Sequence, residues 1–379
     1  MSVSRRRSSI TSRAEVPTAG RIVVKVGSSS LTSIGGGIDE DALTRLSYVL
    51  AAAKLTGQEI ILVSSGAIAA GLAPLGLTRR PKDLASQQAA AGVGQGLLMA
   101  RYTRAFGEHG IVTGQVLLTA DDLIRRTQYQ NAHRSLTRLL ALGVLPIVNE
   151  NDAVATHEIR FGDNDRLASL VAHLAHADLL ILLSDVDALY DGPPADGAQR
   201  IPEVHGPDDL EAITIGSTGR AGVGTGGMAT KVQAASMAAA NGIPAMVTST
   251  AYAAAALGGD PVGTWFHPTG NRHPIRLMWL AHLATIRGRL VLDDGAVKAV
   301  RDRRRSLLPA GIVDVSGTFA SGDPVELTDR SGEVIARGLV NYDSEELPQM
   351  LGRTTFDLGE DLGHDYEREV VHVNDLVLA

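Results

Sequence analysis

Between residues 21 and 266 the chain alternates short apolar runs with longer amphipathic stretches, and this alternation constrains the fold more than any other feature. The runs at residues 22–26, 60–63, 111–118, 144–148, 179–183 and 245–247 have the composition and length of buried strands. The stretches at 39–54, 83–107, 127–142, 166–177 and 230–241 read as helices. Strands separated by helix-length connections imply βαβ units and a mostly parallel sheet. Within 83–107, Gly92, Gly94 and Gly96 weaken the helix expectation, because each glycine costs about 1 kcal/mol relative to alanine.

The texture changes near residues 267–274, where Pro, Gly, Asn and His cluster. Beyond residue 283 the apolar segments shorten and turn signals such as Asp294-Gly295, Ser316-Gly317 and Ser331-Gly332 separate them, as in a small, mostly β domain. Four regions are therefore expected. Residues 1–20, with Arg5, Arg6 and Arg7 among serines, form a disordered arm. Residues 21–266 form the α/β domain, 267–282 a linker and 283–379 the small domain.

The 379 residues include no cysteine, which excludes disulfide scaffolds, thiolate metal sites and cysteine nucleophiles. A formal net charge of −7 speaks against nucleic acid as the main partner, since phosphate backbones are met by positive footprints. No apolar run suits a signal peptide or a membrane span, so a soluble cytoplasmic protein without membrane contact is expected.

In open α/β sheets ligands collect at the carboxyl ends of the strands. Four expected strands end in polar groups: Lys25-Val26-Gly27-Ser28-Ser29, Ser64-Ser65-Gly66-Ala67, Asn149-Glu150-Asn151-Asp152 and Ser184-Asp185. A lysine in a buried strand is costly unless it faces an anion, and Gly27 lets a phosphate approach the backbone. A second lysine, Lys231, opens a helix after the glycine-rich segment Gly224-Thr225-Gly226-Gly227-Met228-Ala229-Thr230. A cation there opposes the helix dipole, and a bound anion would resolve the conflict. In Gly162-Asp163-Asn164-Asp165 one residue suffices as a helix cap. Asp165 is then available to hold the two lysines, and Asn164 suits a carboxylate or an amino group.

Other motifs fail on context. The string Gly222-Val223-Gly224-Thr225-Gly226-Gly227 fits G-x-G-x-x-G but follows no strand, and no Walker-type P-loop occurs. Asp163 and Asp165 lack the later ligands of an EF-hand, and His173 with His176 has no evident third metal ligand. What remains is two lysines, an organising aspartate and glycine-rich loops without a nucleophile or a histidine base. That inventory suits phosphoryl transfer, where positioning and charge neutralisation dominate.

The same segments resemble the amino-acid kinase family. Ile22-Val23-Val24-Lys25-Val26-Gly27-Ser28-Ser29 is similar to its opening strand, and Gly224 to Lys231 to its nucleotide loop. Ser64 to Gly71, Asn149 to Val154 and Gly162 to Asp165 resemble, more narrowly, the branch that phosphorylates glutamate in proline biosynthesis. Ser306 to Ile312 resembles the start of the PUA domain that many bacterial members carry. The resemblance implies a three-layer αβα kinase domain with a mostly parallel sheet, plus a mostly-β PUA domain. It assigns Lys25, Lys231 and Asp165 to catalysis, and Ser65, Asp152 and Asn164 to glutamate. Lys25, Ser184, Asp185, Thr225, Gly226, Gly227, Met228, Ala229, Thr230 and Lys231 would hold ATP, with Mg2+ as its companion.

The implied reaction phosphorylates the γ-carboxylate of L-glutamate, giving L-glutamyl 5-phosphate. The resemblance also implies a homo-oligomer, dimer or tetramer, with proline as feedback inhibitor and glutamyl phosphate reductase as the downstream partner. RNA is not the expected partner: the basic run Arg301, Arg303, Arg304 and Arg305 reads as a solvated helix face with few aromatics for stacking. The competing readings are a kinase of the same fold acting on acetylglutamate, aspartate, carbamate or a nucleotide, an RNA-linked factor, and an inactive regulatory relative.

Overall fold

β1 (Arg21–Val26) is buried at every position and lies in the interior of the sheet. The computed structural model describes residues 10–32, 37–124, 126–154, 164–192, 197–211, 227–270, 277, 280 and 286–378. After β1 come α1 (Glu40–Leu55), β2 (Glu59–Ser64), α2 (Ala67–Leu72), α3 (Leu84–Gly107) and β3 (Thr113–Leu118). Next are α4 (Ala120–Ile124), α5 (Arg126–Ala141), β4 (Leu145–Glu150), α6 (Asn164–Leu174) and β5 (Leu179–Ser184). A two-stranded ribbon follows from β6 (Leu189–Tyr190) and β7 (Arg200–Ile201), then β8 (Glu203–Val204) and α7 (Asp208–Glu211). α8 (Met228–Ala240), β9 (Ala245–Ser249), α9 (Ala253–Gly258) and β10 (Thr264–Phe266) complete the first unit.

The eight-stranded sheet has the order β3-β4-β2-β1-β5-β9-β10-β8. Its pairings are parallel except for β9 with β10. Strand alternation divides the faces. Ile22, Val24 and Val26 share a core with Leu43, Leu46 and Leu50 of α1 and with Leu98, Tyr102 and Phe106 of α3. Lys25 therefore points to the other face, where α6 lies beside α8.

Local chemistry sets the helix starts. Asp39 accepts from Ala42 N ahead of α1, and Asp83 accepts from Ser86 N ahead of α3. The three glycines do not interrupt α3, which is continuous over 24 residues. A Cβ on Gly94 would lie 1.8 Å from Ala67 O, and one on Gly71 would lie 1.9 Å from Ala90 O. The helix tolerates glycine because α2 and α3 touch backbone to backbone there.

One expectation is corrected. Residues 10–20 are not a disordered arm: Arg13–Thr18 form a 3-10 turn, and Ile10, Val16 and Ala19 are buried in the core with α1 and α9. Gln58 Nε2 also donates to Val16 O at 2.9 Å. Residues 1–9 lie outside the described residues. The expected linker also begins later than residue 267, because Thr269 N and Gly270 N both donate to Ala239 O.

The chain divides into two units, Met1–Arg272 and His273–Ala379. The second contains β11 (Gly288–Leu292), β12 (Ile312–Gly317), β13 (Pro324–Thr328), β14 (Val334–Val340) and β15 (Val371–Leu378) in the order β12-β11-β13-β14-β15. β11 and β13 are parallel and the other pairs antiparallel, around a core that includes Leu290, Val325, Leu327 and Ile335. The basic run is not one helix face. Its helix, Asp294–Arg301, ends at Arg301, which pairs with Glu333 at 2.7 Å, and Arg304 has a φ of 45°. No helix among the described residues is long and apolar enough to cross a membrane.

Candidate active site

Three charged side chains from three elements meet on the α6 face of the sheet. Lys25 leaves β1, Asp165 sits in the first turn of α6, and Lys231 sits near the start of α8. Lys25 Nζ pairs with Asp165 Oδ1, and Lys231 Nζ lies 3.0 Å from Oδ2. Thr230 Oγ1 lies 2.9 Å from Gly227 O and 3.2 Å from the same Oδ2, so its one proton has two acceptors within reach. The residues are 2%, 0% and 6% exposed for Lys25, Asp165 and Lys231, so each charge would be prohibitive alone. A shared carboxylate near the positive end of α6 makes the group tenable. It also answers the dipole conflict at Lys231 from within the protein.

A chain of neutral hydrogen bonds runs beside this cluster. Asn164 Nδ2 donates to Ser65 Oγ at 2.9 Å and to Asn149 Oδ1 at 2.7 Å, and Asn149 Nδ2 donates to Gln95 Oε1 at 2.9 Å. Ser65 is carried by the turn between β2 and α2, where Gly66 has a φ of 113° that a residue with a side chain would strain to adopt. Tyr102 OH lies 2.8 Å from Ser64 Oγ beneath that turn, and burial pushes its phenol up, so it stays neutral.

Asp152 follows β4 and lines a cavity of about 250 Å³ with Gln95, Gln115, Glu150 and Asn151. Gln95 and Asn149 thus join the residues picked from sequence. Asn149 lies at the carboxyl end of β4, in the segment Asn149-Glu150-Asn151-Asp152. For Gln95 the available signal was a single amide, between Gly94 and Gly96, within the otherwise apolar stretch 89–100 of the helix.

Ser184 and Asp185 mark the end of β5, with Ser184 Oγ donating to Asp185 Oδ1 at 3.0 Å. They line a cavity of about 830 Å³ with Ser249 and Thr250 from the neighbouring strand end and with residues of α1 and α9. Gly227, Met228, Ala229 and Thr230 form the start of α8, with Gly227 as its cap residue. Thr225 and Gly226 lie outside the described residues. The structure brings Lys25, Asp165, Thr230 and Lys231 into one cluster and Ser65 and Asn164 into the adjoining one.

Comparison with known proteins agrees with this architecture. Residues 20–249 match the model of the amino acid kinase family, and residues 288–358 match that of the PUA domain. A glutamate 5-kinase of Streptomyces avermitilis is 64% identical over 97% of this chain and 98% of its own. One from Salinispora arenicola is 60% identical over 97% and 100%, and one from Thermobifida fusca 58% over 97% and 95%. Among solved structures, carbamate kinase from Giardia lamblia bound to AMP-PNP shares the fold, with a TM-score of 0.51 at 18% identity over 67% of this chain and 100% of its own. On these family matches and this full-length similarity, the chain belongs to the amino acid kinase family, in its glutamate 5-kinase group, and carries a C-terminal PUA domain.

Proposed function

We propose that this chain transfers the γ-phosphoryl group of ATP to the γ-carboxylate of L-glutamate, giving L-glutamyl 5-phosphate. The observation that carries the reading is the sharing of Asp165 by Lys25 and Lys231, which fixes two ammonium groups beside one another. A carboxylate is already an anion at neutral pH, so the acceptor needs no general base. Its difficulty is electrostatic, since it must approach a polyanion. Two lysines and one aspartate leave a surplus positive charge, held in a dry setting where it acts strongly on developing charge. The pairing with Asp165 uses one of the three N–H donors of Lys231, and an ammonium can turn the others to phosphate oxygens.

Ser65, whose hydroxyl accepts from Asn164 and keeps its own proton to give, suits a substrate carboxylate, and the amide oxygen of Asn164 suits the α-ammonium group. The acidic lining of the smaller cavity, Asp152 and Glu150, suits the α-ammonium group. Ser184, Asp185 and the start of α8 suit the nucleotide. The Asp185 carboxylate, oriented by Ser184, would offer a hard oxygen donor to Mg2+ bound with the nucleotide. Bound with ATP, Mg2+ supplies further neutralisation of phosphate charge. The acyl phosphate product is labile, which fits direct consumption by glutamyl phosphate reductase. A homo-oligomer inhibited by proline belongs to the same proposal.

The test incubates purified protein with Mg2+, ATP and hydroxylamine, comparing glutamate with aspartate, acetylglutamate and carbamate. Hydroxylamine converts an acyl phosphate to a hydroxamate with a coloured iron complex. Colour with glutamate alone supports the reading. Colour with another acid keeps the chemistry and overturns the substrate.

A further inference from the structure

The far edge of the eight-stranded sheet carries ligating side chains that the phosphoryl-transfer site does not use. β8 and β10 run parallel, with Trp265 beside Glu203 and Phe266 beside Val204, so His205 and His267 fall next to each other at the following position. Period-two alternation puts Glu203 and His205 on one face of β8. The two imidazole rings stack with centroids 4.2 Å apart and planes 13° from parallel. Both Nε2 atoms approach Glu203 Oε2, His267 at 2.9 Å and His205 at 3.7 Å.

We propose that Glu203, His205 and His267 form a binding site for a divalent transition-metal ion, Zn2+ foremost, with water completing its coordination. Ligand atoms held about 2.0–2.1 Å from a tetrahedral zinc ion stand about 3.3 Å apart. The two separations straddle that value, and all three ligand atoms lie within 4.8 Å of one another. Seating the ion requires one imidazole to swing out of the stack so that both ring planes contain it, a movement open to the exposed side chain of His205. Two imidazoles with one carboxylate select zinc, copper or nickel over Mg2+ and Ca2+, which take oxygen shells.

A second observation concerns the carboxylate. Arg13 Nη1 donates to Glu203 Oε1 at 3.0 Å, and Arg13 is anchored in turn on Pro202 O. Oε1 is thus committed outward and Oε2 is turned to the imidazoles, as outer partners orient ligating carboxylates in metal sites. Arg13 also offsets part of the glutamate charge, so the affinity rests on the imidazoles. Side-chain exposures of 40% for Glu203, 67% for His205 and 27% for His267 leave the site open to an incoming ion. A bound ion would lock β8, otherwise a two-residue edge strand, onto β10.

The experiment uses the full chain without an affinity tag, stripped with a chelator and titrated with Zn2+ in excess Mg2+ to mask oxygen-rich sites. Wild type is expected to bind one equivalent of zinc, and the double variant His205→Ala, His267→Ala, left with one carboxylate ligand, to lose saturable binding at this site. Co2+ in place of Zn2+ should give visible d–d bands in wild type that are lost in the double variant. Glu203→Gln, which keeps the side-chain shape and a contact for Arg13, should weaken binding with circular dichroism unchanged, separating ligation from folding. Phosphoryl-transfer activity should survive in all variants. Equal zinc affinity in wild type and variants, or no saturable zinc binding by wild type, would overturn the proposal.

Discussion

Asp165, in the first turn of α6, receives Lys231 from the start of α8 at 3.0 Å, and both side chains are buried. The pair places opposite charges at the meeting point of two helix N-termini.

Substituting Lys231 tests its part in turnover. Lys231→Ala is expected to lower kcat by about 10²–10³-fold, the scale of losing one preorganised electrostatic contact in a transition state. Circular dichroism should be unchanged, because Asp165 keeps Lys25. A kcat within twofold of wild type would remove Lys231 from the chemistry.

Asp165→Asn addresses stability instead. It leaves two buried ammonium groups without their shared counter-charge, a situation that costs about 3–5 kcal/mol. The urea midpoint of unfolding should fall accordingly with an unchanged slope. An unmoved midpoint would mean that the carboxylate does not hold the lysines.

Two glycines of α3 should respond in opposite senses. Gly94→Ala drives a methyl group into the backbone of α2, at 1.8 Å from Ala67 O, and should destabilise by about 3 kcal/mol or more. Gly92 has open space where a Cβ would sit, so Gly92→Ala should stabilise by about 0.5–1 kcal/mol. Thermal melts of the two variants side by side decide it, and equal shifts would contradict the packing argument.

The amide chain predicts a binding effect. Asn149→Ala removes the residue between Gln95 and Asn164 and should raise the KM for glutamate about tenfold, equivalent to about 1.4 kcal/mol. The turnover number should change less than KM. A lowered kcat at constant KM would place Asn149 in the chemical step and not in substrate binding.

Ile10 probes the N-terminal segment. Its side chain is 1% exposed, so Ile10→Ala should cost about 2–5 kcal/mol in denaturant unfolding. A cost near zero would show that the segment contributes nothing to the core.

Six of the eight strands were readable as short runs rich in Val, Ile and Leu, whereas β8 and β10, two and three residues long, were not. A buried lysine within one run, Lys25, stands out against that background. Asp165 was readable for a similar reason, as one acidic residue more than a helix cap requires. Gln95 was not, because its contact with Asn149 depends on how α3 crosses β4, and neither helix nor strand periodicity encodes that crossing. The N-terminal segment escaped notice because Ile10, Val16 and Ala19 are too sparse to form a pattern, though each fills a gap in the core. The edge cluster was missed because Glu203 and His205 lie far along the chain from His267, and only the β8–β10 register joins them.

The order of the strands also governs how the enzyme comes into being during synthesis. β1 is the first strand made, yet it lies between β2 and the much later β5. While the nascent chain lengthens, one edge of β1 stays open and Lys25 has no carboxylate to meet. Only after Asp165, β5 and finally α8 have emerged can that edge close and the charges settle together. A ribosome stalled before α8 therefore carries an unfinished sheet, lacking β9 and β10, and an Asp165 without its Lys231 partner.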